Sequence, residues 1–110
     1  MPTKYRSKAT IVDGICFASK KEARRYGELN LLRRLGEIRN LETQFKMPVW
    51  VMNFKGTRST LAFNYVADFK YNDGKSGDLV IEDVKGFRTP LYRLKKKCVE
   101  AQYEISIREI

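Results

Sequence analysis

The stretch LAFNYVADFKYNDGKSGDLVIEDVK, residues 61–85, decides the fold. In its first part Leu61, Phe63, Tyr65, Ala67, Phe69 and Tyr71 alternate with Ala62, Asn64, Val66, Asp68 and Lys70, and a period of two is that of a strand. Residues 72–78, NDGKSGD, are dense in turn formers, and residues 79–85, LVIEDVK, are strand-like again. The two strands are expected to pair antiparallel. On the second, Ile81, Asp83 and Lys85 point one way, and Val80, Glu82 and Val84 the other. Closing the hairpin through residues 72–78 sets Asp68 opposite Asp83 or one diagonal neighbour away, near enough for both carboxylates to reach one ion. Glu82 replaces Asp83 in that role only if the strand is rotated, since it shares its face with two valines.

Outward from the hairpin, the remaining elements follow from their punctuation. Asp13-Gly14 lies between two short β-prone runs in residues 8–17, the signal of a tight hairpin. From Ser19 the text SKKEARRYGELNLLRRLG predicts a helix, with Ser19 as cap, Glu22 three residues on and Gly36 as a left-handed stop. Ala23, Gly27, Leu31 and Leu35 are its expected buried stripe, with Tyr26, Leu29 and Leu32 beside it. Residues 47–54 read as a strand, linked to the decisive hairpin through residues 55–60. Thr89-Pro90 opens a second helix whose apolar side is expected at Leu91, Leu94, Cys98 and Ala101, and residues 104–110 form a last strand. The expected fold is one α/β domain over residues 1–110. Residues 1–18 make an arm and hairpin, and 19–110 a core in which two helices flank a mixed central sheet. The aromatics, Trp50 and Tyr92 included, are expected in the core, and Cys16 and Cys98 as buried thiols.

Charge narrows the function. With 22 Lys and Arg against 13 Asp and Glu, the 110 residues carry +9, which favours a polyanionic partner and above all nucleic acid. No run of about 18 apolar residues and no signal-peptide pattern occurs, so the chain is expected to be cytoplasmic. There is no histidine and no paired cysteine spacing, which leaves zinc almost nothing to bind. A metal held here would have oxygen ligands, as Mg2+ or Mn2+ prefers.

Asp68, followed across the hairpin by Asp83-Val84-Lys85, resembles the signature of the PD-(D/E)XK nuclease superfamily. The order helix, three strands, helix, strand is also similar to the restriction-endonuclease-like core of that superfamily. The phrases VDGICFASKKEARRYGELNLL, YVADF and IEDVKGFRTPLYRLKKK resemble small bacteriophage proteins related to RecU-type Holliday junction resolvases. The resemblance implies a Mg2+- or Mn2+-dependent DNA endonuclease acting on branched or junction DNA as a homodimer, in the cytoplasm of a bacterial host if phage-encoded. It implies Asp68, Asp83 and Glu22 as metal ligands and catalytic residues, with Lys85 orienting or activating water. Gln44 matches a polar position before the first core strand and is assigned to the DNA-binding set. Ala67 stands where the superfamily's name has proline, a substitution common in that superfamily.

Each assignment has a plainer rival. Glu22 also completes a capping box with Ser19, and Asp83 with Lys85 could be an ion pair on a solvated strand face. Residues 84–99 hold six Lys or Arg and no acid. Arg88, Arg93, Lys95, Lys96 and Lys97 are therefore expected to meet DNA phosphates, together with Lys20 and Lys21 on the first helix, rather than to form an ordinary solvated helix face. Lys4, Arg6 and Lys8 form a second basic arm. Two alternatives to a junction nuclease stand: a non-catalytic DNA-binding protein of the same fold, and a nuclease acting on linear DNA in packaging or transposition.

Overall fold

The computed structural model describes residues 9–57, 59–84 and 86–110. The basic residues Lys4, Arg6 and Lys8, and Lys85, lie outside the described residues. Strands β1 (Thr10–Val12) and β2 (Ile15–Phe17) form the N-terminal hairpin, α1 spans Lys20–Arg34, and β3 (Ile38–Met52), β4 (Ser59–Asp73) and β5 (Leu79–Asp83) follow. The chain ends with α2 (Pro90–Tyr103) and β6 (Ile107–Glu109). The main sheet has the order β3-β4-β5-β6. Its first two pairings are antiparallel and β5–β6 is parallel, so the fold is α/β with a mixed sheet, as expected.

Local chemistry sets the boundaries. Asp13 and Gly14 both have positive φ, 53° and 77°, as a two-residue hairpin turn of this type requires. Ser19 caps α1 by accepting from the Glu22 N–H, and Thr89 caps α2 by accepting from the Tyr92 N–H ahead of Pro90. Gly36, at φ 79°, lets its own N–H reach the Arg33 carbonyl and the Glu37 N–H reach Leu32, a Schellman end. Gly74 meets a different demand. Its N–H donates to the Glu37 carbonyl at 2.7 Å, and any Cβ there would lie 2.6 Å from that oxygen.

Several expectations change. The strand before the link is 15 residues long and begins at Ile38 instead of residue 47. Its polar first half escapes a hydrophobic reading because β3 is an edge strand and Arg39, Asn40, Glu42 and Gln44 face solvent. The last strand is shorter than residues 104–110, since Glu104 caps α2 in the left-handed region at φ 55°. Both helices also turn differently. On α1 the buried residues are Ala23 and Leu29, while Leu31 and Leu35 are exposed. On α2 Val99 is buried, while Leu91 and Leu94 are each 59% exposed. Trp50 is about half exposed, and neither cysteine is buried: Cys16 is exposed and Cys98 intermediate.

The odd-numbered residues of β4 alternate in burial as the sequence implies, but they serve two cores. Phe69 and Tyr71 pack with Phe17, Ala23 and Leu29 under α1. Tyr65 and Ala67 pack with Met47, Val49 and Val99 under α2. The β3–β4 ribbon therefore hands its apolar side from one helix to the other between Ala67 and Phe69. On β3 the matching point is Gln44, which sits at φ 51° in the left-handed region. Asp68 stands at this crossover, where a side chain belongs to neither core.

Candidate functional site

The register of β4 against β5 runs from Asn72↔Leu79 to Phe69↔Glu82, and one further step brings Asp68 to Asp83. There the ladder continues through side chains. The Asp68 N–H donates to Asp83 Oδ1 at 3.0 Å, and the Val84 N–H donates to Asp68 Oδ2 at 2.7 Å. Each carboxylate thus accepts a main-chain N–H from the other's strand, that of Asp68 itself and that of the residue after Asp83, and this fixes the two acids side by side. The sequence expectation of opposition across the hairpin matches this geometry.

Asp83 is fully buried, so it does not lie on a solvated strand face. Its Oδ2 also accepts from the Tyr65 hydroxyl. Burial, and then this bond, push the Tyr65 hydroxyl well above the usual phenol range, so Tyr65 stays a donor to Asp83. The Tyr65 hydroxyl lies close to that of Tyr92, which donates to Glu109 at 2.9 Å. Tyr92 and Arg88 hold the Glu109 carboxyl below the usual carboxylate range, the Tyr92 bond first. A chain of polar contacts thus runs from Asp83 to the surface pair of Arg88 and Glu109.

Across β3, Gln44 faces Asp68, since its neighbours form the pairs Thr43↔Phe69 and Phe45↔Ala67. The Gln44 amide donates to the Cys16 carbonyl at 3.5 Å, joining this side of the site to the strand that leads into α1. Glu22, Lys20 and Lys21 occupy the first turn of that helix, the two lysines exposed and Glu22 partly buried. Among the described residues, no group of three or more His, Cys, Asp and Glu is arranged to hold a metal. The geometry thus brings Asp68 and Asp83 together, without Glu22 as a third member of such a group.

The second acid on β5 is engaged elsewhere. Glu82 lies on the side of Val80 and Val84, as the alternation demands, and is fully buried. Arg25 of α1 holds it with two bonds, Nε to Oε1 at 2.8 Å and a terminal nitrogen to Oε2 at 2.7 Å. Tyr71 donates its hydroxyl to Oε2, and the Arg108 guanidinium lies 3.7 Å away. The bond to Glu82 raises the Arg25 pKa, and burial followed by the Glu82 bond pushes the Tyr71 hydroxyl up to about 12. This network fastens α1 to the strand that carries Asp83. One signal pointed to it: an acid between two valines on an interior face needs a cation from a neighbouring element.

The basic residues of α2 and its approach divide. Arg88 pairs with Glu109 at 2.8 Å, Lys96 lies 3.8 Å from Glu100 and 3.7 Å from Glu109, and Lys95 sits over the Phe63 ring. Arg93 and Lys97 are exposed. No helix among the described residues is long and apolar enough to cross a membrane.

No curated protein and no solved structure matches the chain. A family model does, over residues 2–108, and that family is described as a protein of unknown function (DUF1064). With nearly the whole chain matched, the protein belongs to the DUF1064 family.

Proposed function

We propose that the chain is a metal-dependent DNA endonuclease with a PD-(D/E)XK site, for which branched or junction DNA is the preferred substrate. The observation that carries this reading is the interlocked pair of Asp68 and Asp83, one of them fully buried, in a chain of net charge +9. A nucleic-acid binder without chemistry gains nothing from two adjacent carboxylates, which repel the phosphates that its basic residues attract.

The donor set suits a small hard cation, which is commonly held by one or two carboxylates and otherwise by water. Asp68 and Asp83 would hold it, and it would supply an activated water and neutralise charge on the scissile phosphate. The chain's own residues orient the pair. Tyr65 and the Asp68 N–H fix Asp83, and the Val84 N–H fixes Asp68, a surrounding shell of the kind that sets ligand direction at metal sites. Lys85 is assigned to the attacking water, Glu22 to the edge of the site on the α1 side, and Gln44 to the DNA beside Asp68. Lys20 and Lys21 reach phosphates from that same side.

Two measurements test this. Mg2+ or Mn2+ should raise the thermal midpoint of the wild type by mass action, and Ca2+ should serve poorly. Asp68→Asn, which keeps an oxygen for the Val84 N–H, should abolish the shift. A shift of equal size in the variant places the metal elsewhere. For DNA, Lys20→Gln with Lys21→Gln should flatten the slope of log affinity against log salt by up to about 1.8, roughly 0.9 for each lost phosphate contact. An unchanged slope assigns both lysines to solvent.

A further inference from the structure

The loop that leaves Asp83 holds an aromatic ring in solvent beside the carboxylate pair, and we infer that Phe87 selects the substrate. It stacks on an unpaired base next to Asp68 and Asp83, so that open DNA is bound there in preference to a closed duplex. The inference rests on the reading of that pair as a DNA site.

Two anchors place the ring. At the start of the loop the Val84 N–H donates to Asp68 Oδ2 at 2.7 Å. At its end Arg88 Nε donates to Glu109 Oε1 at 2.8 Å, and Glu109 is the register partner of Asp83 on β6. Strands β4 and β6 flank β5, so each anchoring acid stands one strand spacing, about 4.8 Å, from Asp83. Phe87 follows Val84 by three residues and lies at most about 11 Å from it even with the chain extended. The residue is 80% exposed and belongs to neither core. Exposure alone does not single it out, since Phe54 is 98% exposed. Phe54, however, precedes the start of β4 at Ser59, and roughly 30 Å of strand separates Ser59 from Asp68.

Chemistry selects the ligand. Gly86 before the ring has no side chain and Arg88 after it is cationic, so the loop offers a bare π face next to a charge suited to phosphate. An unpaired base is flat, apolar on its faces and tied to a phosphate, and it meets both. Stacking on an aromatic ring stabilises any base, whatever its identity. In a closed duplex the same ring reaches a base face only by separating a base step, and the unstacking opposes the gain. A ring at this position therefore favours DNA whose bases are already unpaired, as at a branch, a gap or a bulge. A protein partner fits less well, because one ring supplies little of the roughly 800 Å² that a stable interface takes from each side.

Binding in EDTA, which separates affinity from cleavage, tests this with a labelled duplex carrying a two-base bulge and its fully paired counterpart. The wild type should bind the bulged duplex more tightly. Phe87→Leu keeps an apolar side chain and removes the π face, and it should lose about 5- to 100-fold of the affinity for the bulge, the range of one base stack. Affinity for the paired duplex, the slope of log affinity against log salt and the thermal midpoint should not move, because the ring meets no phosphate and joins no core. Phe87→Trp should retain the preference. A wild type without the preference, a Phe87→Leu variant that keeps it, or equal loss on both DNAs overturns the inference. So does a variant altered only in its association with another protein. A wild type that shows the ring-dependent preference but never cuts in Mg2+ keeps Phe87 and removes the endonuclease. Cleavage that depends on Asp68, with Phe87→Leu binding both DNAs as the wild type does, keeps the endonuclease and removes Phe87.

Discussion

Asp83→Asn should leave a folded protein that has lost nearly all metal-dependent cleavage. Asp83 is fully buried, with one carboxylate oxygen on the Asp68 N–H and the other on the Tyr65 hydroxyl. An asparagine preserves that shape. Its carbonyl oxygen accepts the Asp68 N–H, and its amide can donate to the Tyr65 oxygen once that hydroxyl turns. What disappears is the negative charge, and an amide oxygen is a weaker ligand for a small hard cation. A cation held by the pair would contribute several kcal/mol to the transition state. At about 1.4 kcal/mol per factor of ten, the rate should fall by roughly a thousandfold. DNA affinity in EDTA should stay equal or rise modestly, because one charge facing the phosphate is gone. Thermal stability, affinity in EDTA and single-turnover rate, measured together, separate the cases. A folded variant cutting at the wild-type rate removes Asp83 from the site, and an unfolded one assigns Asp83 to the fold.

Arg25→Ala should cost about 3–5 kcal/mol of stability, the range for breaking a buried ion pair from one side. The reason is Glu82, which has no exposed surface and receives two of its hydrogen bonds from Arg25. Tyr71 remains on Oε2, and the Arg108 guanidinium is 3.7 Å away, so the charge keeps only part of its compensation. Arg25→Met combined with Glu82→Gln removes charge and partner together and keeps an acceptor for Tyr71, so the pair should regain most of the loss. Urea unfolding of Arg25→Met, Glu82→Gln and the double variant gives the coupling. A loss below about 1 kcal/mol for Arg25→Ala would class the contact with exposed ion pairs.

The parts of the fold legible in the sequence are those that backbone chemistry dictates locally. Asp13-Gly14, Ser19, Gly36 and Thr89-Pro90 mark their turns and caps because only certain residues meet those dihedral and hydrogen-bonding demands. The opposition of Asp68 and Asp83 was legible for a related reason: two alternating strands joined by a turn-rich stretch leave few registers. The helix faces were legible only in part. Apolar spacing put Leu31, Leu35, Leu91 and Leu94 on the buried sides, yet α1 is seated through Ala23 and through Tyr26, Leu29 and Leu32 beside the expected stripe, together with Arg25, and α2 through Val99, Tyr92 and Cys98. Long polar side chains that bury their stems and pair their heads are invisible to hydrophobic periodicity. Nor could alternation reveal that β4 serves two cores, since burial alternates without a break across Asp68 while the neighbour changes from α2 to α1. That handover places Asp68 at the junction of the two halves, where the candidate site lies.

The most direct test of the proposed function is cleavage by the purified wild-type chain of a labelled four-way junction and a matched linear duplex, each in Mg2+ and in EDTA. Products should form from the junction in Mg2+, with little from the duplex and none from either in EDTA. Cleavage of the duplex alone would keep the site and change the substrate. Binding of both DNAs without cleavage in Mg2+ or Mn2+, or equal cleavage in excess chelator, would contradict it.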